Sequence, residues 1–227
     1  MLSQQQQLQA VQAFAQEKLG HDTTGHGMDH LKRVARLAKK IAQAEGVDAF
    51  LPVVAAYLHD TIDEKLFVDV QAAEAAVEKF LGQREFSADQ QTEIMQIITQ
   101  MSFANTLDGS RPQLSLAGQI VQDADWLDAL GAIGIARAVY YGGKHREKLY
   151  DPQLSPREHL DRAEYRNLAN ETIINHFSEK LFKLAGLLNT KTAQAIAVER
   201  ETFMHQFVRR FLAEWEGEAK TKSFFIC

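Results

Sequence analysis

Apolar side chains recur three and four residues apart along most of this 227-residue sequence. Val34, Leu37 and Ile41 form one such series, and residues 94–101 contain another. This period places the apolar residues on one face of an α-helix. No convincing run shows the two-residue alternation of a half-buried strand. The pattern therefore predicts an all-α fold.

Two sequences typical of helix starts support this reading. Residues 87–90 and 155–158 match the capping box, and Pro156 would occupy the first helical position of the second helix. No Ser/Gly/Pro-rich linker divides the chain, so we expect a single domain over residues 1–227. The predicted helices lie near residues 4–19, 28–45, 50–61, 69–81, 88–102, 112–129, 132–147, 157–167, 170–187 and 191–216.

Composition narrows the class of protein. Hydrophobic residues make up 45% and charged residues 24% of the chain, and the net charge is −5, which is ordinary for a soluble globular protein. A negative chain argues against binding a nucleic-acid polymer by its phosphates, although a small phosphorylated substrate remains compatible. The lone cysteine, Cys227, excludes an intrachain disulfide. With no signal-peptide pattern and no apolar stretch of membrane-spanning length, we expect a cytoplasmic protein without membrane contact. The sequence leaves a homodimer open.

Polar residues interrupt the apolar faces at a few places. His30 precedes Val34 by four residues and so lies on the same apolar stripe. The segment 51–58 is apolar on every side, as in a central buried helix, and it ends abruptly in His59 and Asp60. A buried carboxylate needs a partner, because an unpaired buried charge is costly.

The helix predicted near 112–129 carries acids on two sides. At about 100° per residue, Asp125 and Asp128 fall at the edge of or within its apolar face, whereas Asp123 lies toward its wet face. The wet face is marked by Ser115, Gln119 and Gln122, and the apolar face by Leu114, Ala117, Val121 and Ala124. The acids on the apolar face again require a counter-charge.

One shared cation would satisfy these groups, if His30, His59, Asp60 and Asp125 meet in the core. Two imidazoles and two carboxylates suit a divalent metal with open positions for water; Mn²⁺ is favoured, with Mg²⁺, Co²⁺, Fe²⁺, Ni²⁺ or Zn²⁺ as alternatives. Each residue also has an ordinary structural reading. A histidine on an apolar face is often hydrogen-bonded in the core, and an acid there is often capped or salt-bridged.

These residues match the H…HD…D pattern, and the chain resembles the HD-domain superfamily of metal-dependent phosphohydrolases. It is most similar to a bacterial subgroup, through GHGMDHLKRV at 25–34, HDTIDEK at 59–65, IVQDADWLDALGAIGIAR at 120–137 and HFSEKL at 176–181. The resemblance implies an HD-domain helical bundle with a metal-site core near 25–130, additional C-terminal helices near 131–216 that complete a cleft, and Asp125 as the fourth ligand. Some members of this subgroup release pyrophosphate from nucleoside triphosphates. Trp126 departs from the pattern, since relatives usually carry a polar residue there.

The resemblance also suggests roles for the neighbouring residues. Asp63 and Glu64 would orient or deprotonate the attacking water, although Asp63 could instead cap a helix or form a salt bridge. Asp128 would support the metal ligands rather than bind the ion. A phosphorylated substrate also needs cations and hydrogen-bond donors, and each candidate could equally lie on a solvated helix face. These candidates are His26, Arg33, Lys65, Arg137, Lys144 and Lys180.

The resemblance therefore predicts a metal-dependent hydrolase of nucleoside triphosphates or related nucleotides, with pyrophosphate release favoured. A phosphodiesterase or phosphomonoesterase with the same site is one alternative. A regulatory module that binds metal or nucleotide without turnover is the other, and the complete set of ligands argues against it.

Overall fold

The structure is a computed structural model that describes residues 2–64, 66–107, 111–158, 160–161, 164–165 and 171–218. The described part of the chain is all-α, as predicted, and contains one isolated backbone bridge, between Lys148 and Thr172. The α-helices are α1 (Gln4–Leu19), α2 (Met28–Ala44), α3 (Phe50–Leu58), α4 (Val70–Gln83), α5 (Ala88–Gln100), α6 (Leu116–Asp128), α7 (Gly131–His145), α8 (Ile173–His176), α9 (Phe182–Leu184) and α10 (Lys191–Trp215). None of these helices is both long and apolar enough to cross a membrane.

Most helix starts lie close to their predicted positions. Ser87 caps α5 in the predicted capping box, since its side chain and that of Gln90 each bond the other's backbone N–H. The helix expected from residue 112 begins instead at Leu116, because the Ser115 hydroxyl accepts a hydrogen bond from the Gly118 N–H and sets the start there. Helix α3 ends at Leu58 and continues as a 3-10 turn, His59–Ile62.

The prediction of a helix near 157–167 is wrong for most of the residues that the structure describes there. Residues 155–158 and 160–161 are irregular, and only 164–165 are helical within that range. The backbone N–H of Arg157 donates to Glu179 at 2.9 Å rather than to a capping Ser155. The Arg157 guanidinium donates to the same carboxylate, so this tertiary ion pair overrides the local capping signal.

The segment predicted as one helix at 170–187 is divided into shorter pieces. Helix α8 runs directly into a π-helical turn, Phe177–Leu181, which is followed by α9 and a 3-10 turn, Ala185–Leu187. A π-helical turn changes which residues share a face. Here Glu179 is buried against Arg157, while Lys180 reaches a cavity described below.

Helix α3 occupies the centre of the fold. It packs against α1, α2, α5 and α6, and its residues 54–56 are fully buried. Burial on all sides explains its uniformly apolar sequence. Helix α10 packs along α6 and α7, so the late part of the chain covers the helix that carries the candidate metal-binding acid.

Helix α6 corrects the sequence-based assignment of its faces. Gln122 and Asp123, placed on or toward the wet face, are buried, with 2% and 0% of their surface exposed. Asp123 accepts hydrogen bonds from both the backbone and the side chain of Asn189 and of Thr190, at 2.7–2.8 Å. The partners lie at the N-terminal cap of α10, so the end of the predicted solvent face around Gln122 and Asp123 is an internal contact between helices, while Ser115 is exposed as predicted.

Replacing this buried acceptor should destabilise the protein without altering the candidate metal site. For Asp123→Ala we expect a loss of roughly 2–4 kcal/mol in the free energy of unfolding, because buried N–H donors at Asn189 and Thr190 lose their acceptor. Urea denaturation checks this, with Asp89→Asn on the exposed first turn of α5 as the control. A loss no larger than that of the control would contradict the structural role of Asp123.

Candidate functional site

Three helical segments bring the four predicted metal ligands together. His30 lies in the first turn of α2, His59 and Asp60 lie in the 3-10 turn after α3, and Asp125 lies on α6. The Nε2 atoms of His30 and His59 are 3.3 Å apart. Asp125 Oδ1 lies 3.4 Å and 3.6 Å from these two atoms, and Asp60 Oδ2 lies 3.4 Å from His30 Nε2. The nitrogen and oxygen atoms of these side chains therefore converge on one place between the helices.

The hydrogen bonds of the two imidazoles determine which ring atoms face that point. His30 Nδ1 lies 2.7 Å from Asp128 Oδ2, and His59 Nδ1 lies 2.9 Å from the backbone carbonyl of Ala56. Both acceptors require a proton on Nδ1, which leaves a lone pair on each Nε2 of the neutral rings. Two lone pairs that face each other at 3.3 Å repel unless a proton on one ring or a metal cation lies between them.

The carboxylates add to the demand for a cation. Asp60 is buried, and its Oδ2 has no hydrogen-bond partner in the described structure. Burial disfavours charge on His59, yet the neighbouring carboxylates of Asp60 and Asp125 raise its pKa well above the usual value. The site thus favours positive charge, and His30, His59 and Asp60 offer ligand atoms within 4.8 Å of one another. The donor set fits a divalent metal.

Asp128 organises the outer side of the site. It accepts hydrogen bonds from His30 Nδ1, from Arg33 Nε at 2.8 Å and from Arg137 Nη1 at 3.1 Å. Burial tends to raise the pKa of Asp128, but these positive and hydrogen-bonded partners lower it overall. Asp128 therefore holds the ring of His30, a predicted ligand, in place, which is the arrangement expected for an outer support of a metal site.

A cavity of about 540 Å³ opens over the four predicted ligand side chains. Of the predicted substrate-contacting and catalytic residues, those that line it are His26, Asp63, Glu64, Arg137 and Lys180. Arg33 does not line it, because its guanidinium is bound by Asp29 and Asp128. Lys144 lies outside it, with its Nζ 3.3 Å from Thr23 Oγ1. Lys65 lies outside the described residues.

The loop before α2 positions His26 on this wall. The Asp22 carboxylate accepts hydrogen bonds from the backbone N–H groups of Thr24, Gly25 and His26 at 2.9–3.1 Å. Gly25 has φ +102°, a conformation that a side chain would strain. Its carbonyl accepts a hydrogen bond from Arg137, which ties the loop to α7.

The cavity also has an aromatic wall that the sequence analysis mostly did not identify. Trp126 is 2% exposed and packs edge-on against Phe103, with ring centres 6.2 Å apart. Lys180 Nζ lies 5.3 Å from the ring centres of Phe103 and Tyr165 and donates to the Tyr165 hydroxyl at 2.7 Å. Tyr165 lies in a short helical piece at 164–165 that follows the irregular residues 160–161, so no periodic pattern could place it in the cavity.

A charged cluster on the same cavity wall was also missed in part. Glu147, Glu171 and His176 line the cavity; of these, only His176 lies in a motif noted in the sequence. Burial raises the pKa of Glu147 to about 7, with a smaller contribution from repulsion by the Glu171 carboxylate. A separation of five residues, as between Glu171 and His176, is not typical of any catalytic motif, so nothing in the sequence suggested that they pair.

Comparison with known proteins places these features in a wider group. The HD domain family matches residues 27–130. A Lactobacillus plantarum protein of solved structure is 50% identical, with a TM-score of 0.87 over 96% of this chain and all of that one. Bacillus subtilis YpgQ is 35% identical over 93% of this chain and 95% of its own length. Its complex with ADP superposes with a TM-score of 0.73 over 92% of this chain and 98% of that one. A Bacillus thuringiensis protein described as an HD-superfamily hydrolase is 32% identical, with a TM-score of 0.74 over 95% of this chain and all of that one.

Proposed function

We propose that this chain, which belongs to the HD-domain family of hydrolases, is a metal-dependent phosphohydrolase of nucleotides that favours release of pyrophosphate from nucleoside triphosphates. One observation carries the proposal. Two imidazole lone pairs, a buried carboxylate oxygen without a partner and the Asp125 carboxylate converge at the edge of a cavity large enough for a small organic ligand.

In this proposal His30, His59, Asp60 and Asp125 hold one divalent metal, with Mn²⁺ favoured. When bound, such an ion polarises a phosphoryl oxygen and lowers the pKa of water. Asp128 keeps His30 in the tautomer that directs a lone pair to the ion, and the Ala56 carbonyl does the same for His59. These contacts therefore direct Nε2 of both imidazoles toward the proposed ion site before an ion arrives.

The cavity residues would act on water and phosphate. Asp63 and Glu64 follow the 3-10 turn directly and line the cavity, where a carboxylate can orient the attacking water and accept its proton. Arg137 and Lys180 line it as well and supply positive charge for phosphate oxygens. This local charge would offset the net charge of −5, because a cleft focuses the field of the groups that line it.

The relative YpgQ supports a nucleotide as the ligand, since it was crystallised in complex with ADP. Residues 25–130 supply the proposed metal ligands, while Arg137, Tyr165 and Lys180 come from the later part of the chain. We therefore propose that the whole chain acts as one domain with a single cleft.

Product analysis with a panel of nucleotides tests the proposed function. With Mn²⁺ we expect release of pyrophosphate and a nucleoside monophosphate from nucleoside triphosphates, and loss of activity when a chelator removes the metal. Parallel reactions with Mg²⁺, Co²⁺ and Zn²⁺ rank the metals. Release of phosphate alone would favour a phosphomonoesterase, and cleavage restricted to diesters a phosphodiesterase. Binding of nucleotide without any product would favour the regulatory module.

A further inference from the structure

The distal motif at 176–181 contains a histidine whose orientation is fixed by a buried acid. His176 Nδ1 lies 2.5 Å from Glu171 Oε1, while the side chain of Glu171 is 5% exposed and that of His176 is 25% exposed. Nδ1 of His176 is thus engaged in a hydrogen bond with Glu171. The opposite ring nitrogen, Nε2, has no hydrogen-bond partner among the described residues, and the ring lines the cavity.

Glu171 is itself anchored. Arg157 reaches its other carboxylate oxygen, Oε2, at 3.3 Å, and also binds Glu179. Burial alone would raise the pKa of Glu171, but the hydrogen bond from His176 and the charge of Arg157 lower it overall. The carboxylate therefore stays ionised and aligns the imidazole, as the third member of a catalytic triad aligns its histidine.

His176 lies where it could contact a ligand bound in the cavity. His176 and Lys180 are separated by four residues in α8 and the π-helical turn, and both line the cavity that opens over the metal-site ligands. Lys180 supplies a positive charge on the same wall. Phosphates of a bound nucleotide that extend from the metal site toward this wall would meet a cation and an imidazole together.

We propose that His176, positioned by Glu171, is the residue that protonates the leaving group of the hydrolysis. The inference rests on the proposed function and adds the acid that it lacks. The oxygen of water forms a bond to phosphorus, and a proton of that water passes to Asp63 or Glu64. The phosphorus–oxygen bond to the leaving group breaks, and His176, acting as an imidazolium that carries a proton on each nitrogen, gives its Nε2 proton to the departing oxygen. Proton exchange with solvent then restores both groups.

Several charged groups contact the ring or line the same cavity, and they would shape its pH response. Glu171 precedes α8, and Arg157 lies in the irregular segment that packs on it. Glu147 lies just after the end of α7, and Lys180 lies four residues after His176; both line the cavity. A pH profile of one variant alone would therefore combine several titrations, so each profile is compared with that of the wild type.

The test compares His176→Gln and His176→Ala with a matched surface variant. His205→Gln is suitable, because His205 is 48% exposed, stacks on Phe182 and does not line the cavity. We expect both His176 variants to lose about 100-fold in kcat for a nucleoside triphosphate, with KM and bound Mn²⁺ nearly unchanged, as removal of a general acid does. Exogenous imidazole should partly restore His176→Ala. Glu171→Gln should show a smaller loss of kcat and a shifted alkaline limb of the pH profile.

The outcomes separate the inference from the proposed function. Wild-type protein that releases no product from any nucleotide would overturn both. Wild-type activity together with full kcat in His176→Gln would overturn the inference alone. A raised KM with unchanged kcat in His176→Gln would also overturn it, because His176 would then serve substrate binding. Loss of the alkaline limb of the pH profile in His205→Gln would overturn it as well, because that limb would then not report on His176.

Discussion

Asp60→Ala is expected to reduce turnover by roughly 1,000-fold or more while leaving the helical fold intact, because a catalytic metal supplies several kcal/mol of transition-state stabilisation. Asp60 is 5% exposed, and one of its carboxylate oxygens has no partner in the described structure. Its removal takes away a metal ligand but no internal hydrogen bond of that oxygen. A chain of this size does not need a metal to form its core.

Thermal unfolding with and without Mn²⁺ provides a readout that does not depend on activity. Wild-type protein should gain stability with added metal, because an ion that binds only the folded state raises Tm, whereas Asp60→Ala should gain little. Asp89→Asn, on an exposed turn, should behave as the wild type. Near-normal hydrolysis by Asp60→Ala would show that catalysis occurs elsewhere.

Asp128→Asn is expected to weaken Mn²⁺ binding by about 10- to 100-fold, although Asp128 is not a proposed ligand. The carboxylate holds His30 Nδ1 at 2.7 Å and neutralises Arg33 and Arg137. An amide is a weaker acceptor for the imidazole, removes the carboxylate that pairs with Arg137 and leaves Arg33 paired with Asp29. Both effects lower the attraction of His30 for a cation.

Metal titration followed by calorimetry measures this loss. Arg33→Ala is the informative comparison, because it also removes a bond to Asp128 but leaves the contact with His30 in place. We expect Arg33→Ala to weaken binding much less than Asp128→Asn. Equal affinities for wild type and Asp128→Asn would mean that His30 does not depend on this carboxylate.

The sequence was most informative where local pattern and tertiary contact agree. Helix α3 is apolar on all sides because it is central, so its burial and the abrupt appearance of His59 and Asp60 could be predicted together. His30 lay on the stripe of Val34 and is buried in the structure. Whether these residues bind an ion stays a prediction that the experiments above address.

The errors arose where a distant residue decides the local structure. Arg157 donates to Glu179, 22 residues away, and a capping box at 155–158 cannot compete with that ion pair. Asp123 looked solvent-facing because its partner, the N-terminal cap of α10, begins 66 residues later. Neither contact leaves a periodic trace in the sequence.

The two attachments of α10 to α6 have a consequence for how the site works. Asp123 binds Asn189 and Thr190 near the middle of α6, and Arg200 donates to the Leu127 carbonyl near its end. Asp125 lies between these two points, so α6 can neither slide nor turn about its axis without breaking one of them. The position of this carboxylate is therefore set during folding and not at each encounter with substrate. Such preorganisation means that little binding energy is consumed in rearranging the site, and more remains to lower the barrier of the reaction.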